Sequence, residues 1–406
     1  MNRVVITGAG TVNALAQDVA GTLQAFQAGQ CGIGPLAFAD VDRLQIRIGA
    51  QVKGWDEDIN FTRQDIALYD RITQFVLHSA RQAIRQSGFG DDATLLDSSG
   101  VILGTAAGGF STWEDNFRAV FEAGKNRVHP FTVPRLMANA AAAHISMEFG
   151  LRGPNYTVST ACASSNHAMG QAFHLIRSGA AQVMLTGGAE AMLSFGGVKA
   201  WEGLRVMSPD ACRPFSANRN GMVMGEGAAV FVFEELTHAR ARGAEILAEV
   251  VGFAMTADAG EIVSPVQAGA ERTMRLALRD AGLNPEDIGY VNAHGTGTAV
   301  NDRVESAAIR QVFGDHAFAH AGHLLVSSTK SMHGHVIGGT GAVELLACIM
   351  ALRDGVVAPT IGYQSADPDC ALDVVPNEAR QARIEACLSN AFAFGGTNAV
   401  LALRRF

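Results

Sequence analysis

Residues 155–171 read Asn-Tyr-Thr-Val-Ser-Thr-Ala-Cys-Ala-Ser-Ser-Asn-His-Ala-Met-Gly-Gln and predict a strand, a sharp turn and a helix. The segment from Tyr156 to Val158 resembles the end of a buried strand, and apolar residues after Cys162 have helical spacing. Cys162 would then lie at a helix start, where unpaired N–H groups and the helix dipole favour a thiolate. We expect a sulfur more nucleophilic than that of a free cysteine. The alternative interpretation is a buried core cysteine without a chemical role.

The composition predicts a compact protein with a large core. The chain has 406 residues, of which 48% are hydrophobic and 17% are charged, and its net charge of −8 argues against a nucleic acid partner. Six scattered cysteines without a C-x-x-C pair fit a reduced, cytoplasmic protein better than disulfides or a zinc site. Met1 to Arg3 leads directly into a strand, which leaves no room for a signal peptide, and no apolar run is long enough to cross a membrane.

Strands and helices alternate along the chain, which predicts parallel sheets covered by helices on both faces. We expect one such series in residues 1–244 and a second in 245–406, although the letters themselves contain no repeat. The predicted strands are 4–7, 101–103, 183–186, 228–234, 246–251, 288–293, 324–328, 387–392 and 398–404, and the predicted helices are 67–87, 133–150, 235–242, 268–282, 301–313 and 339–353. Residues 111–130 are expected to form a surface excursion and 194–222 an ordered loop region.

The glycines at the end of the first predicted strand have two interpretations. Gly8-Ala9-Gly10 matches half of a dinucleotide-binding fingerprint, but Asn13 stands where the third glycine belongs. We therefore favour a turn that ends the strand over a nucleotide site.

Three further loops carry polar groups that suit acyl-thioester chemistry when they are combined with Cys162. Asn-Ala-His-Gly-Thr-Gly-Thr (292–298) and Ser-Thr-Lys-Ser-Met-His-Gly-His (328–335) each follow a predicted strand, and Ala-Phe-Gly-Gly-Thr-Asn (393–398) forms a third loop. Strand-end loops are where α/β proteins place ligand and catalytic groups. His333 and His335 have no acidic or cysteine ligands beside them in the sequence, so we predict no metal site.

These motifs, together with Thr-Ala-Cys-Ala-Ser-Ser around Cys162, resemble the condensing enzymes of the β-ketoacyl-[acyl carrier protein] synthase family, type I/II. The resemblance covers nearly the whole chain and is strongest to the KAS II branch and to its nodulation-type members. It implies an α/β thiolase fold, with two similar β-α halves that form a layered α-β-α-β-α body. It also implies decarboxylative condensation of an acyl chain with malonyl-[acyl carrier protein], in fatty acid, nodulation-type or polyene chain elongation.

The resemblance assigns roles to individual residues. Cys162 would carry the acyl chain as a thioester, and His294 and His335 would bind the malonyl thioester carbonyl and assist decarboxylation. The backbone N–H groups of Cys162 and Phe394 would form an oxyanion hole. Further residues would support these steps: Lys330 and Glu344 would orient the histidines, Thr296 and Thr298 would bind the phosphopantetheine arm, Phe394 would be a gate, and Ala107 would line the acyl pocket.

Several positions depart from the family's usual pattern. His333 replaces a threonine, Ala393 replaces the glycine before the gate, and Asn218 and Asn220 stand where aspartates are frequent. Ala107 is smaller than the aliphatic residue often found there, so we expect a longer acyl tunnel.

The resemblance also implies partners and leaves rival functions to weigh. Acyl carrier protein would be the partner, no cofactor is needed beyond the carrier's phosphopantetheine, and a homodimer is expected through the strand before Cys162. A subunit without the cysteine could replace one copy. A thiolase would use a second cysteine, which the C-terminal loop lacks, while a chain-length-factor subunit would lack Cys162. His335 argues against a type III synthase.

Overall fold

The computed structural model describes residues 1–89, 93–318 and 324–406. The strands in these ranges are β1 (Val4–Asn13), β2 (Gly34–Pro35), β3 (Ile48–Gly49), β4 (Gly100–Gly104), β5 (Asn155–Val158), β6 (Val183–Glu190), β7 (Gly227–Glu235), β8 (Ala248–Ala257), β9 (Tyr290–Asn292), β10 (Leu325–Ser327), β11 (Val356–Val357), β12 (Arg380–Gln381), β13 (Ala386–Ala393) and β14 (Thr397–Arg404). The helices are α1 (Val19–Ala28), α2 (Glu57–Asn60), α3 (Arg63–Leu68), α4 (Arg71–Ser87), α5 (Ala93–Ser98), α6 (Phe110–Phe117), α7 (Thr132–Leu136), α8 (Ala140–Phe149), α9 (Ser164–Arg177), α10 (Phe195–Glu202), α11 (Leu236–Ala241), α12 (Gln267–Ala281), α13 (Ala299–Phe313), α14 (Lys330–His333) and α15 (Thr340–Asp354).

One mixed sheet of ten strands organises the molecule, in the order β10-β9-β13-β14-β8-β1-β7-β6-β4-β5. Outward from the β8–β1 contact, the two sides have the same plan: two antiparallel pairings are followed by two parallel ones. The structure therefore contains a topological repeat that the letters do not reveal. The prediction of parallel sheets is wrong for five strand pairs of this sheet, which are antiparallel: β1–β7, β6–β7, β1–β8, β8–β14 and β13–β14. For β13 and β14 the reason is the connection, because only Phe394–Gly396 joins them and a parallel crossover needs roughly a dozen residues.

Three large apolar clusters divide the body into layers. The central cluster surrounds α9 and α15, which contact strands from both sides of the sheet. A second cluster lies under α4 and α8, and a third lies under α12 and α13. The two inner helices therefore separate two sheet halves, and outer helices cover each half, as the layered α-β-α-β-α prediction requires.

The glycines of β1 do not form a turn. The strand continues through Gly8 and Gly10 to Asn13, and a Cβ on Gly10 would lie 1.9 Å from the carbonyl oxygen of Ser79 in α4. Because glycine has no side chain, the backbone of α4 can pack directly against β1 at these two positions. The predicted strand-ending turn is wrong, and the glycine motif serves packing between a strand and a helix.

Several element boundaries also differ from the prediction. The segment β5 is a strand but lies at the sheet edge, with Tyr156 39% exposed, so it is not buried in the single chain. The predicted helix 67–87 is interrupted at Asp70, whose side chain accepts a hydrogen bond from the Ile72 N–H and begins α4. The predicted helix 133–150 is likewise divided into α7 and α8, and residues 111–130 contain α6 and a π-helical turn.

The segment 194–222 contains α10 in addition to the expected loops. Among the described residues, no helix combines the length and the apolar character needed to cross a membrane. All six cysteines are free thiols.

Candidate active site

Cys162 lies in a tight turn between β5 and α9. Ala161, directly before it, has a φ of 47°, a conformation that a non-glycine residue adopts at a free-energy cost of about 1–3 kcal/mol. The Ser164 hydroxyl accepts a hydrogen bond from the Thr160 N–H at 2.9 Å and closes the turn. A Cβ on Gly104 would lie 2.3 Å from the backbone of Ser164, so this glycine lets the start of α9 pack against the end of β4.

The acidity of the thiol runs opposite to the prediction from the helix start. Burial raises the pKa of Cys162 to about 12, although the charge of Lys330 and the N–H groups of Cys162 and Phe394 act to lower it. Cys162 is only 6% exposed and precedes the first residue of α9 by two positions. Burial thus acts against the expected thiolate, whereas the charge of Lys330 and the N–H donors directed at the sulfur act in its favour.

Two histidines from the second half of the chain meet this thiol. A ring nitrogen of His294, a ring nitrogen of His335 and the Cys162 sulfur all lie within 4.8 Å of one another. The two imidazole centroids are 5.5 Å apart and the ring planes are nearly perpendicular, at 84°. The structure thus brings together the three groups that the sequence places on three separate loops.

The tautomer of His335 is fixed by its surroundings. Its Nδ1 accepts a hydrogen bond from the Ile337 N–H at 3.0 Å and lies 2.8 Å from the Thr340 hydroxyl. Because an amide N–H can only donate, a neutral His335 carries its proton on Nε2. Burial holds the pKa of His335 well below its usual value, so the ring is neutral and presents an N–H donor to the cavity.

His294 is held through its backbone rather than its ring. The N–H groups of His294 and Gly295 donate to the Glu305 carboxylate at 2.8 and 2.7 Å, and Asn390 donates to the same group. No hydrogen bond from the described residues reaches the His294 ring. Burial also holds the pKa of His294 well below its usual value. His294 is therefore a neutral imidazole that is free to donate or to accept.

Lys330 and Glu344 form a buried ion pair behind the histidines. The Lys330 Nζ donates to a Glu344 oxygen at 2.6 Å, and neither side chain is exposed to solvent. Burial raises the pKa of Glu344 to about 7, against the effect of the neighbouring ammonium. The positive charge of Lys330 lowers the pKa of both His294 and His335. The pair thus favours neutral imidazoles.

The three groups open onto a cavity of about 470 Å³. Thr296 and Thr298 line it, with their hydroxyls 2.9 Å apart, and Phe394 lies at its wall. The ring of Phe394 stacks on Trp201, with centroids 5.9 Å apart and an interplanar angle of 23°. A long polar-tipped arm could enter this cavity and reach the sulfur.

The cluster of Cys162, His294 and His335 has the spacing of a metal site, but its hydrogen bonds do not fit one. A metal on Nε2 of His335 would require the proton on Nδ1, which faces the Ile337 N–H donor at 3.0 Å. The arrangement suits hydrogen-bond donation instead. The predicted absence of a metal stays a prediction.

Ala107 does not line the cavity of Cys162. It lies at a second, more open cavity of about 620 Å³, walled mainly by aromatic side chains. These aromatic side chains are Phe110, Trp113, Phe117, Phe121 and Phe195. The second cavity is apolar enough for a hydrocarbon chain.

The departures from the family pattern fall in different places. His333 is buried beside Phe26 and bonds to Thr329, away from the cavity. Ala393 and Asn220 line the cavity, whereas Asn218 bonds to Gln364 outside it.

Sequence reasoning missed three residues that shape the site: Glu305, Thr340 and Trp201. Glu305 has a partial signal in the sequence, since Asp302 and Glu305 are three residues apart in the predicted helix 301–313 and therefore share one helix face. Thr340 and Trp201 have none, because their partners His335 and Phe394 are identified only by the folded chain.

Comparison with known proteins agrees with this geometry. Residues 1–239 match "Beta-ketoacyl synthase, N-terminal domain" and residues 247–364 match "Beta-ketoacyl synthase, C-terminal domain". The chain is 46% identical to nodulation protein E of Rhizobium sp. (strain N33), with 99% of each chain covered. It is 39% identical to 3-oxoacyl-[acyl-carrier-protein] synthase 2 of Synechocystis sp. (strain ATCC 27184 / PCC 6803 / Kazusa), with 100% of this chain and 98% of the relative covered.

Solved structures agree as well. The chain superposes on the ishigamide ketosynthase/chain length factor with a TM-score of 0.94 and 34% identity, covering 100% of this chain and 99% of that one. It superposes on a type II polyketide ketosynthase solved with its acyl-carrier protein, AntDE:AntF, with a TM-score of 0.89 and 28% identity over the same shares of the two chains. These neighbours confirm the predicted thiolase fold.

Proposed function

Because this chain belongs to the β-ketoacyl synthase family, we propose that Cys162, His294 and His335 carry out the decarboxylative condensation of an acyl chain with malonyl-[acyl carrier protein]. The observation that carries the assignment is the approach of the thiol and the two ring nitrogens to within 4.8 Å. Groups contributed by both halves of the chain converge on one sulfur, at the floor of a cavity that an acyl-bearing arm can enter.

The first step transfers the acyl group to Cys162. The sulfur attacks the thioester carbonyl, a new carbon–sulfur bond forms, and the bond to the pantetheine sulfur breaks. The proton of the Cys162 thiol leaves with the pantetheine thiol. The N–H groups of Cys162 and Phe394 stabilise the negative charge on the carbonyl oxygen, which offsets the raised pKa of the buried thiol.

The second step acts on the malonyl thioester. The Nε2–H of His335 and the ring of His294 bind its carbonyl oxygen, the bond to the carboxylate breaks, and carbon dioxide leaves. The resulting enolate carbon attacks the acyl carbonyl on Cys162 and forms the β-ketoacyl product. The Cys162 thiolate leaves and takes up one proton, so the cycle consumes one proton for each carbon dioxide released.

Neutral imidazoles suit this second step better than charged ones. An imidazolium would stabilise the malonyl carboxylate as well as the enolate. A neutral N–H donor beside the thioester carbonyl instead favours the enolate, in which the negative charge lies on that carbonyl oxygen. Burial maintains that neutrality, and the charge of Lys330, which is paired with Glu344, adds to it.

Acyl carrier protein is the partner we propose, and its phosphopantetheine arm would bond to Thr296 and Thr298. The similar type II polyketide ketosynthase was solved in complex with its acyl-carrier protein, which supports this assignment. We propose no further cofactor and a cytoplasmic location, in keeping with six free cysteines. The exposed edge of β5 supports a dimer, formed either with a second copy or with a chain-length-factor-like subunit.

The acyl chain would extend from Cys162 toward Ala107 and the aromatic cavity behind it. The small side chain of Ala107 and the cavity volume of about 620 Å³ support medium-to-long or polyunsaturated chains. The 46% identity to nodulation protein E supports a specialised pathway over primary fatty acid synthesis.

The test is reconstitution with purified carrier proteins. The protein is mixed with acyl-[acyl carrier protein] and radiolabelled malonyl-[acyl carrier protein], and carbon dioxide and β-ketoacyl product are measured together. We expect equal amounts of the two, and one acyl mass on the peptide that contains Cys162. A wild-type protein that releases neither product, under conditions in which a synthase of known activity does, would contradict the proposal.

A further inference from the structure

Glu190 is a buried carboxylate that the mechanism above does not use. It is the last residue of β6, its side chain is fully buried, and no ion pair among the described residues involves it. Burial raises the pKa of Glu190 to about 7, and hydrogen bonds that compensate for the lost solvation favour its charged form.

Four donors hold this carboxylate, and they come from two loops. The Thr105 hydroxyl and the Ala107 N–H donate to one oxygen at 2.9 and 3.2 Å. The Ala106 N–H and the Gly338 N–H donate to the other oxygen at 2.8 and 3.1 Å. The first loop carries Ala107, and the second follows His335. One side chain therefore connects the two loops.

The Gly338 side of this connection leads directly to His335. The preceding residue, Ile337, donates its N–H to Nδ1 of His335 and has a φ of 45°. The Gly338 carbonyl accepts a hydrogen bond from Ser165, in the first turn of the helix after Cys162. Because the backbone at Ile337 is strained, external bonds must hold it in place, and Glu190 supplies one of them.

We propose that Glu190 is a positioning residue that couples the acyl-chain loop at Thr105–Ala107 to the decarboxylating group His335. The inference rests on the proposed function, in which the acyl chain lies beside Ala107. A chain that displaces this loop moves the carboxylate, and the carboxylate moves the Gly338 and Ile337 amides that orient His335. The chain held on Cys162 then sets the rate at which malonyl thioester loses carbon dioxide.

The experiment measures carbon dioxide release in a single turnover. Cys162 is first loaded with a short or a long acyl chain, and labelled malonyl-[acyl carrier protein] is then added in excess. For the wild type we expect the two rates to differ by at least about five-fold, the lower end of typical coupling between sites. In Glu190→Gln, which places an amide NH₂ against the backbone donors, the ratio should fall to roughly one to two.

Matched variants separate coupling from general damage. Glu234→Gln removes a buried carboxylate that bonds to Thr7 and Arg242 outside the site, and it should keep the wild-type ratio. If Glu190→Gln does not fold, Thr105→Val removes one hydroxyl donor and should reduce the ratio, whereas Thr105→Ser keeps the hydroxyl and should restore it.

The outcomes distinguish the two proposals. A wild type that condenses with equal rates for both chains, or a Glu190→Gln protein with an unchanged ratio, overturns the role of Glu190 and leaves the condensation intact. A wild type that fails to condense contradicts the proposed function itself.

Discussion

At the residue scale, the Cys162 thiol combines a high pKa with donors aimed at its sulfur. Burial raises that pKa to about 12, so the thiolate fraction should increase about tenfold per pH unit throughout the range in which the protein is folded. We expect the rate of iodoacetamide alkylation of Cys162 to increase from about pH 7 to 9.5 without a plateau. Mass spectrometry of the Cys162 peptide measures the rate. A plateau of the alkylation rate near pH 8 would instead support the thiolate that the helix start predicts for Cys162.

The two histidines yield a second prediction at this scale. Replacement of His294 or His335 by Ala should lower malonyl decarboxylation by about 10²–10³-fold, the usual effect of losing one donor to a developing oxyanion. Acyl transfer to Cys162 should persist in part, because neither ring forms the oxyanion hole of that step. Separate assays of carbon dioxide release and of acyl mass on Cys162 check both statements. Unimpaired condensation in either variant would refute the assignment.

The pKa direction adds a pH dependence. Both rings are already neutral because their pKa values lie well below the usual range, so lowering the pH from about 8 to 6 should not protonate either ring. Carbon dioxide release measured between about pH 8 and 6 should therefore show no titration of the imidazoles, and a change within this interval would instead be assigned to Glu344, whose pKa burial raises to about 7.

How far the sequence determines the site is also visible at this scale. The sequence could predict that Cys162, His294 and His335 belong together, as their approach to within 4.8 Å shows, because each lies in a compact motif beside small residues. Glu190 and Trp201 could not be predicted, because each acts through a contact with a residue far away in the chain. Glu190 accepts a hydrogen bond at 2.8 Å from the N–H of Ala106, more than 80 positions away, and the ring of Trp201 lies 5.9 Å from that of Phe394, more than 190 positions away.

At the element scale, the loop after β4 should set the length of the acyl chain. Ala107→Ile or Ala107→Phe places bulk at the aromatic cavity, and each buried methylene that is excluded forfeits about 0.8 kcal/mol of binding. The variants should keep activity on short carrier-bound chains and lose activity on long ones. Short-chain turnover serves as the internal control. An unchanged length profile would mean that the aromatic cavity is not continuous with the acyl site.

The packing of α4 on β1 is a second prediction for an element. Gly10→Ala would place a methyl group 1.9 Å from the carbonyl oxygen of Ser79, and overpacking of this kind costs about 1–3 kcal/mol. We expect a corresponding loss in the free energy of unfolding, measured in urea. Gly34→Ala is the matched control, since nothing lies within 4 Å of its added Cβ and its stability should change little. Equal free energies of unfolding for the two variants would contradict the prediction, because β1 and α4 would then accommodate the methyl group without cost.

The positions of helices and strands could be predicted where the apolar periodicity is strong. The direction of strand pairing could not, because contacts between elements determine it. The long strands β13 and β14 were located correctly, but their antiparallel pairing follows from a connection of only three residues, Phe394–Gly396. The interruption before α4 was readable in principle, because Asp70 is a favourable first cap for a helix.

At the scale of the whole molecule, β5 leaves one edge of the ten-stranded sheet open. Tyr156 on this strand is 39% exposed, and the apolar residues Phe131 and Val133 are 48% and 62% exposed. Such a surface favours pairing with a second chain. We expect a dimer at micromolar concentration by sedimentation velocity. Tyr156→Lys should weaken it, whereas Ile59→Lys, at a residue 80% exposed on α2, should not. A stable wild-type monomer would contradict the prediction.

The division of the chain at residues 244 and 245 stays a prediction. It falls between β7 and β8, where the repeated strand order of the sheet begins again. The letters conceal this repeat because equivalent strands need only equivalent burial, which many apolar sequences provide.

The repeated strand order has a consequence for how the chemistry is divided. Cys162 follows β5 and precedes α9, while His335 follows β10 and precedes α15, and these strands occupy matching places on the two sides of the sheet. In the proposed mechanism, the nucleophile Cys162 and the hydrogen-bond donor His335 are thus counterparts, related by an approximate internal twofold symmetry. One kind of strand-to-helix junction, present in two copies, would then serve two unlike chemical roles, and the proposed reaction needs both copies.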